Sequence, residues 1–334
     1  MDSLSQLALG SAIGVAVMGR RTSVWKAALW GGVCGTLPDL DALVDFGDAV
    51  RNMTYHRAES HALFWLTLVS LPIAWLVARL HRETVLMKRW WLAVWLVLIT
   101  HPLLDTFTIY GTQLLLPFSD YPFGIGSMFI IDPLYTLPLL AGLLVALMAR
   151  HGGLRWNVMG LALSTLYLGW SLAAQQYVYG VARGSLARSN APADKMLVTP
   201  TAFNTILWRI VVMRGDKYEE GFYSLFDRER SVRFDAFPND VALYQQLRNE
   251  GAVARMAWFT KGFFAMHERE GKAILTDLRM GQEPNYVFSF LVAQRQSPTF
   301  AAVPARDAGG RGDVRRGLAW VWTRLKGNDI PPPR

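Results

Sequence analysis

Cysteine is almost missing from this chain of 334 residues, Cys34 being the only one. An intrachain disulfide and a four-cysteine zinc site are therefore excluded. Charge is sparse as well, at 18% of residues, and the segment 109–132 carries no Lys or Arg. The opening Met1-Asp2-Ser3 has no basic stretch behind it, which argues against a cleaved signal peptide. No Gly-rich phosphate loop and no Gly-x-Ser-x-Gly elbow is present. No basic stripe with interleaved aromatics is found either, so nucleic acid is not an expected partner.

What the chain does have is apolar bulk. Apolar residues make up 52%, mean hydropathy is +0.19, and 13 Trp and 17 Phe suit lipid-facing or interfacial positions. Six apolar segments run roughly over 4–18, 24–38, 61–79, 90–108, 133–149 and 155–178, against a spanning need of about 20 residues. The first two are short and rich in small residues, and Ala8, Gly10 and Gly14 permit close helix approach. The expected fold is thus an α-helical polytopic membrane domain of about six apolar helices (1–185), followed by a small α+β soluble domain (190–296) and a flexible tail (297–334).

The soluble part is expected from alternation in Ile206–Met213, Tyr218–Leu225, Lys272–Leu278 and Tyr286–Ala293, with a helix over Pro238–Glu250. Residues 1–185 hold 12 Lys+Arg against 10 Asp+Glu, so the net charge of +8 belongs mostly to the C-terminal part.

The connections set an orientation. Arg20 and Arg21, then Arg79, Arg82, Lys88 and Arg89, then Arg150 and Arg155 fall on one side of an alternating six-span topology. The positive-inside rule calls that side cytoplasmic. The expected location is a bacterial cytoplasmic (inner) membrane, multi-pass, with both termini and the C-terminal domain extracytoplasmic.

Ionisable groups at membrane depth are costly and mark function. Here they form three clusters: Pro38-Asp39-Leu40-Asp41, His56-Arg57-Ala58-Glu59-Ser60-His61, and His101-Pro102-Leu103-Leu104-Asp105. The topology brings all three to one membrane face, with Asp2 and Gln6 of the N-terminus beside them. His101 and Asp105, at i and i+4, share a helix side and offer a nitrogen and an oxygen to one point. Imidazole with carboxylate suits Zn²⁺, with Mn²⁺ or Fe²⁺ as alternatives. Taken singly, Asp39 and Asp41 could be caps and His56 and His61 interfacial residues. Asp132-Pro133 reads as the N-cap and first residue of a helix. His81 and His151 are assigned to solvated loops, and His267 finds no partner in the pattern.

These residues resemble the membrane-bound metal-dependent hydrolases called YdjM-like or YfhP-like, some of them regulated by LexA. The likeness runs from Met1-Asp2 and Gly10 through Pro38-Asp39-Leu40-Asp41, His56-Arg57 to His61, and His101 to Asp105. It continues through Thr108-Ile109-Tyr110-Gly111-Thr112-Gln113, Pro117-Phe118-Ser119 and Asp132-Pro133, covering roughly residues 1–150. In the C-terminal part, Pro200, Asn204, Trp208-Arg209 and Thr276-Asp277-Leu278-Arg279 resemble longer members. The family pattern is departed from in two places, at one residue and within one motif. Gln6 stands where a His is usual, and Ala58, Ser60 and Ala62 replace the Gly, Thr and Ser of the second motif.

The resemblance implies a hydrolase. The expected metal ligands are Asp39, Asp41, His56, His61, His101 and Asp105, with Asp2 a weaker candidate. Arg57 would steady an anionic group such as a phosphate, and Glu59 is a candidate general base. The bilayer is the expected partner, and a lipid or lipid-linked ester the expected substrate. Two other readings stay open. A metal or proton transporter would need the His/Asp set to continue across the membrane. A non-catalytic anchor would present the C-terminal domain to a partner, with Trp208, Phe222, Tyr223 and Phe226 as the docking patch.

Overall fold

A computed structural model describes residues 1–149, 152–188, 193–310 and 312–334. Arg150, His151, the expected domain start at 190 and Arg311 lie outside the described residues. The chain divides into two compact units. One comprises Met1–Val44 with His56–Ser171, the other Asp45–Tyr55 with Leu172–Arg334.

The first unit is helical. It contains α1 (Ser3–Met18) and α2 (Val24–Thr36); the next helix, α3 (Ala49–Tyr55), belongs to the second unit. The first unit resumes with α4 (Leu63–Leu80), α5 (Met87–Asp105), α6 (Pro133–Met148) and the beginning of α7 (Gly153–Arg188), inside which the boundary falls. All six apolar segments are therefore helices, but the six-span expectation needs correction. Among the described residues, only α4 and α7 are long and apolar enough to cross a membrane. The reason is length and charge. With 13 residues, α2 extends about 20 Å at 1.5 Å per residue, short of a hydrocarbon core of about 30 Å. α1 and α6 have 16 residues each. α5 opens on Lys88 and Arg89 and carries His101 and Asp105 at its other end.

Backbone contacts between small residues hold the first two helices together. A Cβ on Gly31 would lie 2.2 Å from the carbonyl oxygen of Gly10, and one on Gly14 would lie 2.4 Å from that of Ala27. Around this seam Val15, Met18, Ala27, Cys34, Trp90, Val94 and Leu98 form a buried core. Asp2 caps α1, accepting from the backbone N–H of Leu4 and Ser5 at 3.1 Å each. Asp132 caps α6, with Pro133 in its first turn, as expected from the sequence. His81 departs from the solvated-loop expectation. It accepts a 2.7 Å hydrogen bond from Trp30 Nε1 and stacks on Trp90, because the bulky indoles close over the turn after α4.

The second unit carries two four-stranded antiparallel sheets. One orders β1 (Lys195–Pro200), β2 (Leu207–Arg214), β3 (Lys217–Ser224) and β4 (Phe234–Pro238) in sequence. The other follows α8 (Val241–Leu247) and α9 (Gly251–Phe259); it contains β5 (Phe264–Arg269), β6 (Lys272–Asp277), β9 (Ser289–Gln296) and β10 (Thr299–Asp307) in the order β10-β9-β6-β5. A small ribbon pairs β7 (Gly281–Gln282) with β8 (Asn285–Tyr286). The segment 297–334, expected to be flexible, instead supplies β10 and the helix α10 (Val314–Leu325). β10 extends the sheet beside β9, and α10 is fixed through Trp320 and Arg324, which are buried.

Candidate metal centre

Four ionisable side chains converge in the helical unit. Asp39 lies in a 3₁₀ turn (Pro38–Leu43) that continues from α2, where Pro38 forces the change of path. His61 ends a second 3₁₀ turn (Glu59–His61) just before α4. His101 and Asp105 project from one side of the last turns of α5. One donor atom from each of the four lies within 4.8 Å of the other three.

The individual distances are more telling. His61 Nε2 is 3.1 Å from His101 Nε2, 3.4 Å from Asp39 Oδ1 and 3.3 Å from Asp105 Oδ2. His101 Nε2 is 3.5 Å from Asp39 Oδ1 and 3.6 Å from Asp105 Oδ2. A tetrahedron of nitrogen and oxygen ligands about 2.0–2.1 Å from its centre has edges of roughly 3.3 Å. His61, His101 and Asp105 are buried, whereas the Asp39 side chain keeps 19% of its surface exposed.

Surrounding hydrogen bonds fix which nitrogen faces the centre. His101 Nδ1 is 2.7 Å from the Gly35 carbonyl, an acceptor only, so Nδ1 carries the proton and Nε2 the lone pair. His61 Nδ1 is 2.8 Å from Ser60 Oγ. Ser60 donates its own proton to Asp41 Oδ2 at 2.5 Å, so its oxygen accepts from His61 Nδ1–H. Both imidazoles thus aim Nε2 lone pairs at the carboxylates. Asp39 Oδ1 and Asp105 Oδ2 are buried and make no hydrogen bond. Four electron-rich atoms facing one point repel one another unless a cation lies among them. A proton would relieve one pair, whereas a metal ion satisfies all four, so the donor set fits a divalent ion.

Asp41 and His56 stand one layer out, contrary to their expected role as ligands. Asp41 accepts from His56 Nδ1 at 2.7 Å, from the Arg57 backbone N–H at 2.9 Å and from Ser60, which uses both of its oxygens. Residues two apart on a tight turn cannot both face inward, and Asp39 takes the inner place. Burial pushes the Asp41 carboxyl up, but the bonds from His56, Ser60 and the Arg57 backbone hold it below the ordinary carboxylate range. Asp2 is committed to capping α1, and Glu59 is exposed and not among the four converging groups.

Arg57 and Gln6 flank the centre. Arg57 adopts a left-handed backbone (φ 66°), and its guanidinium lies 4.9 Å over the Tyr110 ring. Its Nε is 3.5 Å from Asp105 Oδ2, and buried Nε and Nη1 make no hydrogen bond. Gln6 Nε2 donates to Asp105 Oδ1 and to the His101 carbonyl, both at 3.1 Å. The Met1 amino group also meets Asp105 Oδ1. The sequence reading named Ser60 and Tyr110 only as motif members, without a role, and missed the Gly35 carbonyl. Ser60 could have been flagged by its place beside His61, but no spacing rule reveals a backbone carbonyl as a partner.

The Asp41–Ser60–His61 chain has a measurable consequence. Ser60→Ala is expected to weaken metal affinity about 10- to 100-fold with the fold retained, as outer-layer substitutions do. Competition against a chromophoric chelator reads this directly. Unchanged affinity would show that Ser60 does not govern the His61 tautomer.

A two-histidine, two-aspartate cluster with three of its members buried, on a helical scaffold with two helices long and apolar enough to cross a bilayer, fits a membrane protein with a candidate metal site. The chain belongs to the YdjM inner membrane protein family, whose model matches residues 1–178. The matched region contains all four converging groups. Comparison with curated proteins and with solved structures returns no match.

Proposed function

We propose that this protein is a membrane-embedded, metal-dependent hydrolase of an ester or phosphoester. The observation that carries the reading is the convergence of two preset Nε2 lone pairs with two unbonded carboxylate oxygens. Asp39, His61, His101 and Asp105 would hold the ion; Zn²⁺ suits four such donors at tetrahedral spacing, with Mn²⁺ or Fe²⁺ as alternatives. A bound ion would supply Lewis acidity, polarising the scissile group and acidifying water near neutral pH.

The chain's own residues do the rest. Asp41 and Gly35 orient the two imidazoles, His61 through Ser60 and His101 directly. Arg57, with donor atoms unspent beside Asp105, steadies negative charge on the substrate. Asp39, Asp41 and His56 are the partly exposed members of the site, so substrate enters from their side. Glu59, exposed two residues before His61, is the candidate for passing a proton to solvent. Arg79 and Arg82 at the far end of α4 from His61 support placing this site at the outer face of the cytoplasmic membrane. A lipid or lipid-linked ester is the substrate class that such a location favours.

The test uses full-length protein in detergent, loaded with Zn²⁺ or Mn²⁺ and offered carboxylic esters and phosphoesters with and without dispersed lipid. Turnover is expected that chelator abolishes and that His61→Gln lacks. Stoichiometric metal without turnover of either ester class would refute the hydrolase reading. Metal uptake into proteoliposomes would replace it with transport.

A further inference from the structure

The last helix of the second unit has two unlike faces. On one, Trp320 is buried, packs edge-on against Phe222 with ring centres 4.8 Å apart, and donates from Nε1 to the Ile330 carbonyl. Arg324 on the same face grips Asp227 with both terminal nitrogens at 2.5 and 2.6 Å and reaches the Phe222 carbonyl. These contacts fix the helix on its sheet, and they leave the opposite face outward.

That outward face is apolar. Val314, Leu318 and Trp322 follow one another at four-residue spacing, so they stack along one stripe, and they are 66%, 39% and 63% exposed. Val321 and Leu325, partly exposed, fall within the same arc. Cations border it. Arg315 and Lys326 lie along the edge next to Trp322, Arg316 lies further round, and Lys326 Nζ sits 4.7 Å from the Trp322 ring. The one carboxylate at this end, Asp313, is turned back to cap the helix through the Arg316 N–H.

The geometry points to α10 as a membrane-surface helix that lies on an anionic lipid face of the bilayer. An apolar stripe with a tryptophan at its margin and cations along its border fits the boundary between acyl chains and negatively charged headgroups. Cations along the border complement negatively charged headgroups, and this charge complementarity favours an anionic lipid face over a protein partner. For a chain of an inner membrane family, such a surface is always within reach. The inference is independent of the metal site.

The experiment takes the full chain in nanodiscs with an environment-sensitive fluorophore on Leu318→Cys, in a Cys34→Ala background. Bilayers of phosphatidylcholine alone are compared with bilayers that also contain phosphatidylglycerol. With the anionic lipid, strong quenching by nitroxide-bearing lipid is expected, together with protection from aqueous iodide. Adding Arg315→Glu and Lys326→Glu should cut the lipid quenching several-fold, and a label on Arg316→Cys should remain open to iodide. A Leu318 label open to iodide in both bilayers would overturn the proposal. Protection from both quenchers would also overturn it, in favour of a protein interface. Equal lipid quenching without phosphatidylglycerol would overturn the anionic requirement.

Discussion

Protein purified with the double substitution His101→Ala/Asp105→Ala is expected to carry no divalent metal, where the unaltered chain carries it near stoichiometrically. Two of the four converging donors are removed, and the remaining pair, Asp39 and His61, cannot by themselves hold an ion against chelation. Mass spectrometry of the detergent-purified protein measures the outcome. The double variant has a second effect, because Asp105 is the carboxylate beside the buried guanidinium of Arg57. Stranding that charge costs about 3–5 kcal/mol, so loss of metal could follow from loss of fold. His61→Gln separates the two causes. It keeps a polar side chain of similar reach, leaves Asp105 with Arg57, and still removes one Nε2 from the centre. It should retain the thermal unfolding of the chelated wild type and lose the stabilisation by metal, roughly 2.7 kcal/mol at a hundredfold excess over Kd. A His61→Gln variant that binds metal as tightly as the wild type would show that the centre is not built as described.

How much of this centre could be read in advance depended on which physical rule each residue obeyed. His101 and Asp105 were legible because helical periodicity puts i and i+4 on one side. Asp39 and His61 followed from placing the ends of successive apolar segments together. What periodicity could not do was rank neighbours inside a turn. Asp39 and Asp41 are two residues apart on one 3₁₀ turn, yet one faces the imidazoles and the other is consumed by His56, Ser60 and the Arg57 backbone. Likewise His56 and His61 exchange no role by composition alone, and only the fold shows that Tyr110 packs beside the former. The six apolar helices were legible from hydropathy, but their capacity to span was overestimated, since α2 spends its small residues on contact with α1 rather than on length. In the C-terminal unit, strands β2 and β3 fall on the segments read as alternating, although β2 is buried at all but its last residue and so does not alternate. The end of the chain was misjudged because Gly309, Gly310 and Gly312 and the closing prolines masked the period of Val314–Leu325.

Gly31→Ala is expected to destabilise the helical unit by about 1–3 kcal/mol or more, although alanine is the better helix former. Propensity alone would favour the change by roughly 0.5–1 kcal/mol. The added methyl would lie 2.2 Å from the Gly10 carbonyl oxygen, 2.8 Å from its carbon and 2.9 Å from Ser11 Cα, all of them backbone atoms that no rotamer change can withdraw. Sterics therefore outweigh propensity, and the helices must part. Their separation would reach the metal centre, because the same seam continues to Gly35, whose backbone abuts the Gln6 carbonyl and whose own carbonyl fixes His101. Gln6 in turn holds Asp105 Oδ1. Metal affinity should consequently fall together with thermal stability, while Ser60→Ala lowers affinity with the fold retained. Gly169→Ala supplies the control. It lies in α7, where an added methyl would meet nothing within 4 Å, so it should leave metal binding unchanged and raise stability by about 0.4–1 kcal/mol. If Gly31→Ala behaved like Gly169→Ala in both assays, the two helices would not be in backbone contact, and the path from their seam to His101 would not exist.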